Sequence, residues 1–288
     1  MERTRTITVS CLNLAMHSPH SRRRYVELLS TAFAAKRMVR LGSVHGGMIG
    51  SLYGTASASA EKELTGELYR FLKLDPDEPW FNAQTKEAAS PDDLEALSIP
   101  SHLLPHLQRV PFLFKPATHR LYLVSKDRKD NMSPSTAKQL LDGVFQPLAL
   151  EGLFPPVEIT VEPAKDALDE ILSLTSLEHL VIELVPPNPD DGDDIEKSWK
   201  DRLKKQNVRK QTVQLDSERN QTIKPDAETV ALARVAASNG KVTASGHDAA
   251  GVKQDMSTED KPLRERFQHD PNVETLFDTL RRAADMLG

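Results

Sequence analysis

The chain has 288 residues, 39% of them hydrophobic and 5% aromatic, with 37 lysines and arginines against 42 acids for a net charge of −5. No apolar run reaches the roughly 18 residues that a membrane span needs, and no basic region followed by an apolar stretch marks a secretory signal. The single cysteine, Cys11, excludes a disulfide framework and a cysteine-cluster metal site, so the expectation is a cytoplasmic globular protein with a core of Leu, Val and Ala.

In chain order, residues 6–14 alternate as a strand does. Ser21 can cap a helix over 22–40, with Tyr25, Leu28, Leu29 and Phe33 on one side and Gly42 as its stop. Residues 44–53 read as a strand whose Gly46, Gly47 and Gly50 mark the close approach of another backbone, and 64–74 as the returning strand. Seven prolines break the chain between 75 and 116. Short helices fit 92–97 and 101–107, and strands fit 109–115 and 120–125. A charged loop spans 125–132. Ser133 and Pro134 open a helix that runs to residue 150. Strand 157–161, helix 164–174 and strand 177–185 follow.

Pro186, Pro187 and Pro189 stop that last strand. A helix fits 195–206, a strand 208–215, and a helix 224–239 closed by Gly240. A hairpin, 241–245 with 252–257, and an irregular stretch lead to a terminal helix over 273–287. The order predicts an α+β fold, a mixed or antiparallel sheet with flanking helices. Two lobes are expected, residues 1–118 and residues 119–288, the second carrying the late hairpin and the terminal helix.

The net charge hides an uneven layout. Residues 1–60 hold eight bases and two acids, residues 61–103 ten acids and four bases, and residues 195–224 nine bases and four acids. Three basic spots stand out as candidate nucleic-acid contacts. They are Arg22, Arg23 and Arg24 at a helix start; Lys126, Arg128 and Lys129 on a loop tip; and Lys197, Lys200, Lys204, Lys205, Arg209 and Lys210 around a later helix. Cations at a helix N-terminus oppose the dipole, so the arginine triplet is locally unfavourable unless it holds an anion. A solvated surface accounts for the same runs at little energetic cost. Trp199 lies inside the third spot and fits either a base stack or a core position.

Other constellations are weaker. His17 and His20, with Cys11 upstream, lack the third and fourth ligands of a zinc site. The glycines of 42–50 lack phosphate-loop spacing. Asp190, Asp191, Asp193 and Asp194 lack the ligand spacing of a calcium loop. Asp166, Asp169 and Glu170 could serve acid–base work, yet Glu158 and Glu162 nearby make acids commonplace there. Ser10, Ser43 and Ser51 sit in no nucleophile elbow. No catalytic set, metal or cofactor is expected.

Six stretches together resemble a bacterial and prophage family known only as a domain of unknown function: GELYRFLKLDPDEPWFN (66–82), HRLYLVS (119–125), VEITVEPAKDALDEILSL (157–174), LVIELVPPNPDD (180–191), PDAETVALARVAASNGKV (225–242) and MSTEDKPL (256–263). The order of elements and the late hairpin are also similar to the RexA exclusion protein of phage lambda. That resemblance implies a dimer that binds DNA, in preference to RNA, without sequence preference, in phage defence or prophage exclusion. The alternatives are a nuclease or nucleotide-acting enzyme using a divalent metal, and a structural adaptor for a partner protein encoded nearby. No membrane partner is expected.

Overall fold

The computed structural model describes residues 3–17, 21–54, 62–73, 79–95, 100, 102–186 and 194–288, without the side chains of residues 95, 194–197 and 200. The chain opens with β1 (Arg5–Met16), α1 (Arg22–Ala34), β2 (Val39–Leu41), β3 (His45–Tyr53) and β4 (Leu64–Leu72). Next come β5 (Phe81–Asn82), β6 (Glu87–Ala88), α2 (Pro91–Glu95), β7 (Gln108–Lys115), β8 (Arg120–Asp127) and β9 (Asp130–Asn131). Then follow α3 (Pro134–Leu150), β10 (Val157–Val161), α4 (Ala167–Leu172), β11 (Ser176–Leu184), α5 (Asp194–Lys205) and β12 (Gln211–Asp216). The chain closes with α6 (Ala227–Ser238), β13 (Gly240–His247), β14 (Lys253–Ser257), β15 (Glu265–His269) and α7 (Leu276–Leu287). The fold is α+β, with antiparallel pairing throughout the named strands.

The larger sheet runs in the order β10-β1-β8-β7-β4-β3-β2. β1 is its axis. One edge of β1 pairs with β8. Its other edge is long enough for two short strands in tandem, β10 beside Leu12–Met16 and β15 beside Arg5–Val9. β1 is buried on both faces. Leu12, Leu14 and Met16 join the core under α1 and α3, with Tyr25, Leu28, Leu140 and Phe145. Ile7, Val9 and Cys11 face the other way, under Leu280, Ala283 and Ala284 of α7. Burial on two sides leaves small polar residues such as Ser10 and Asn13 enclosed between the apolar ones of an alternating sequence.

The smaller sheet runs β12-β11-β13-β14. Here the alternation is clean. Leu180, Ile182 and Leu184 of β11 pack under Leu232, Ala233 and Ala236 of α6, while His179 and Glu183 are partly exposed and pair with Asp216 and Lys210. This layer meets the larger sheet at Asn13, whose Nδ2 donates to the Ser238 carbonyl at 2.8 Å and to Asn239 Oδ1 at 3.1 Å. Residue 118, the division expected between lobes, falls in the turn from β7 to β8. Those two strands pair with each other in the larger sheet, from Phe112–Leu123 to Lys115–Arg120.

Several expectations are corrected. The helix expected over 22–40 ends at Ala34, because Lys36 takes a left-handed φ of 49° and Val39–Leu41 pairs with β3. The described residues of 101–107 form no helix; Pro105 instead accepts a hydrogen bond from Leu72 N. The charged loop 125–132 is mostly a tight hairpin of β8 and β9, turning at Arg128 with φ 52°. The irregular stretch before Pro271 contains β15. The Tyr69 carbonyl does come close at Gly47, 3.0 Å from a Cβ placed there, but side chains cover Gly46 and Gly50. A Cβ on Gly50 would lie 2.2 Å from the Tyr69 ring, and one on Gly46 2.6 Å from Phe71. No helix among the described residues is long and apolar enough to cross a membrane.

Candidate functional site

Segments of two of the three basic spots are linked through the end of β1. Arg22, Arg23 and Arg24 form the first turn of α1, where Ser21 Oγ caps by accepting from Arg24 N at 3.2 Å. Arg23 pairs with Glu27 at 3.0 Å, and Arg24 lies 5.0 Å above the Phe154 ring. Arg22 is exposed. Lys204 and Lys205 close α5, where cations match the helix dipole. Arg209 and Lys210 follow it, Lys210 paired with Glu183 of β11.

The link between these segments is Glu158 of β10. Its carboxylate stands 3.8 Å from His17, the residue that follows β1, and His17 N donates to the Pro156 carbonyl. His17 holds the Glu158 carboxyl below the usual range, and the charges of Arg209 and Lys210 add to that effect. The segment after α5 therefore lies beside the end of β1. The five residues from His17 to Arg22 can span no more than about 18 Å. Arg22, Lys204, Lys205 and Arg209 make no ion pair with any described residue.

The third spot lies elsewhere. Lys126, Arg128 and Lys129 are exposed around the β8–β9 turn, where Lys126 is level with Thr8 of β1. Thr8 and Met16 are eight strand residues apart, about 26 Å. Lys197 and Lys200 belong to α5, but their side chains lie outside the described residues. Trp199 packs partly buried against the smaller core, with Arg202 at 4.9 Å over its ring. His20 and the acids 190–193 lie outside the described residues. Among the described residues no three His, Cys, Asp or Glu side chains gather as a metal set.

A cleft of about 460 Å³ with mixed polar and apolar lining opens where the two sheets meet. It sits at the joint between β10 and β15 on the edge of β1. There Glu162 N donates to the Cys11 carbonyl, and the Glu162 carbonyl accepts from Leu263 N. The Glu162 side chain is only 9% exposed. Its Oε2 accepts from Ser238 Oγ at 3.0 Å; its Oε1 has no hydrogen bond and lies 3.5 Å from the Arg120 guanidinium. Burial raises the Glu162 carboxyl above its usual range, against the pull of Arg120 and Ser238. Burial works against the Arg120 charge, but Glu162 outweighs it and keeps the guanidinium protonated. Burial pushes the neighbouring Cys11 thiol and Tyr122 phenol up, so both stay protonated near neutrality. Arg120 and Tyr122 also hold the Gly288 carbonyl.

This cleft was missing from the sequence reading, which set Glu162 aside as one acid among several. A family model described as a domain of unknown function, DUF4747, matches residues 5–285. The chain belongs to that family. The match spans both sheets, and every residue that lines the cleft at their junction except Leu287 lies inside the DUF4747 domain. A comparison with curated proteins found no match.

Proposed function

We propose that this chain binds nucleic acid without sequence preference through the face formed by the start of α1 and the end of α5. The observation that carries the reading is the position of Glu158, which ties Arg209 and Lys210 to the segment leading into Arg22. It puts Arg209 and Lys210 near the segment that leads into the arginine triplet, and Arg22, Lys204, Lys205 and Arg209 have no acid partner among the described residues. Phosphate is the ligand that relieves both conditions, since backbone N–H groups and cations at a helix start suit it. Lys126, Arg128 and Lys129 stand apart and belong at most to a second contact. DNA rather than RNA, a dimeric form, and a role in phage defence or prophage exclusion rest on the sequence resemblance alone.

The test is fluorescence anisotropy with labelled duplex and single-stranded oligonucleotides of unrelated sequence, at roughly 50 and 200 mM salt. Binding that weakens steeply with salt and ignores sequence is expected. Absence of binding to every oligonucleotide at the lower salt rejects the proposal.

A further inference from the structure

We infer that the cleft between the two sheets binds a nucleoside monophosphate, with a base N–H donated to Glu162 and the phosphate held by Lys165 and Arg234. The site is separate from the basic face and does not depend on it. Its volume of about 460 Å³ is that of a small-molecule pocket. Its floor holds a buried carboxylate oxygen, Glu162 Oε1, with no hydrogen-bond donor. Such an atom is costly to leave unmet. Arg120 is too far to satisfy it well at 3.5 Å. A ligand that reaches the floor with an N–H supplies the missing donor.

The mouth carries the opposite requirement. Lys165 and Arg234 line it, are exposed, and make no ion pair with any described residue. Lys165 lies three residues beyond Glu162. Arg234 precedes Ser238 by four, so both lie on one face of α6, and Ser238 touches Glu162. Arg234 is therefore just over one helical turn, about 6 Å along α6, from Ser238. Two exposed cations lining one mouth suit a phosphate monoester, which carries about −1.5 to −2 charges at neutral pH. Asp169 also lines the mouth, which leaves the cations Arg120, Lys165 and Arg234 in excess of the two acids by one. Between floor and mouth, Ala164, Leu168, Ala237 and Leu263 form apolar walls for a flat base.

Isothermal titration of the full chain at low salt with AMP, GMP, CMP and UMP tests this, with the matching nucleosides and inorganic phosphate as controls. Saturable one-to-one binding of at least one monophosphate is expected, with its nucleoside and phosphate alone each at least tenfold weaker. Glu162→Met removes the acceptor at similar volume and should weaken binding about tenfold or more. The exposed pair Lys165→Ala with Arg234→Ala should weaken the monophosphate and leave the nucleoside unchanged. The inference is overturned if no monophosphate saturates, if phosphate alone binds as tightly, or if the Lys165 and Arg234 variant binds like the parent chain. None of these substitutions touches the α1 and α5 face, so oligonucleotide affinity reads the two proposals apart.

Discussion

At the residue scale, the structure rests on buried polar atoms with few substitutes. The Tyr25 hydroxyl is fully buried; it donates to the Leu14 carbonyl at 3.1 Å and accepts from Met16 N at 2.7 Å. It ties α1 to the end of β1, just where the chain turns toward the arginine triplet. Tyr25→Phe removes both bonds inside the core and should cost about 1–3 kcal/mol in urea unfolding. A cost near zero would mean that the hydroxyl is satisfied by water instead. Glu162 gives a second test, in its pH dependence. Its carboxyl is raised above the unfolded value of 4.5 by burial. The fold thus favours the neutral form, and that contribution is full below 4.5 and lost as pH rises through the raised value. Relative to Glu162→Gln, the parent chain should therefore lose stability as pH rises from about 4.5 toward neutrality. Denaturation curves across that range check it, and a parent chain that gains stability relative to the variant as pH rises contradicts the burial argument. Neither role is visible locally. Glu162 follows an apolar strand and precedes a proline, as a surface acid would, and Ser238 is 76 residues away.

At the scale of elements, most of the local order was legible. Ser133 with Pro134, and the clean alternation of β11, follow from capping and periodicity alone. α7 shows the same principle. Thr275 and Asp278 exchange side-chain and backbone hydrogen bonds in a full capping box. Because α7 packs over Ile7, Val9 and Cys11 of β1 and against β7, β8 and β15, the loss of that cap is felt globally. Thr275→Ala should lower stability by about 1 kcal/mol, read as an earlier midpoint in guanidinium without a change in slope. The elements that were missed share a cause. β15 has the sequence Glu-Arg-Phe-Gln-His, with one apolar residue and no alternation to read. It is a strand because the free edge of β1 at Arg5–Val9 supplies its hydrogen bonds. The end of α1 was missed for the converse reason. Residues 35–40 have no strong helix breaker, and the pairing of Val39–Leu41 with β3 overrides local propensity.

At the scale of the whole molecule, the question is which distant segments share a surface. If Arg22, Lys204, Lys205 and Arg209 each displace a counterion from duplex DNA, the slope of log K against log salt should be about −3 to −4. Reversing Arg22 and Arg209 to Glu should flatten it by about 2 units, whereas Lys126→Glu should change it far less. A common flattening by all three would mean diffuse attraction over the whole surface and would overturn the joined face. The −5 net charge gives no guide to this, because the acidic and basic segments are placed by the fold. What the amino-acid order determined by itself is most of the longer elements, several of their caps and the α+β class, since these depend on contacts within a few residues. What only the tertiary structure decided is the pairing of β1 with β15 and β10, the meeting of the α1 and α5 segments, and the cleft at Glu162. Each joins residues many tens of positions apart, and no local period or propensity encodes which long loop will close on which strand.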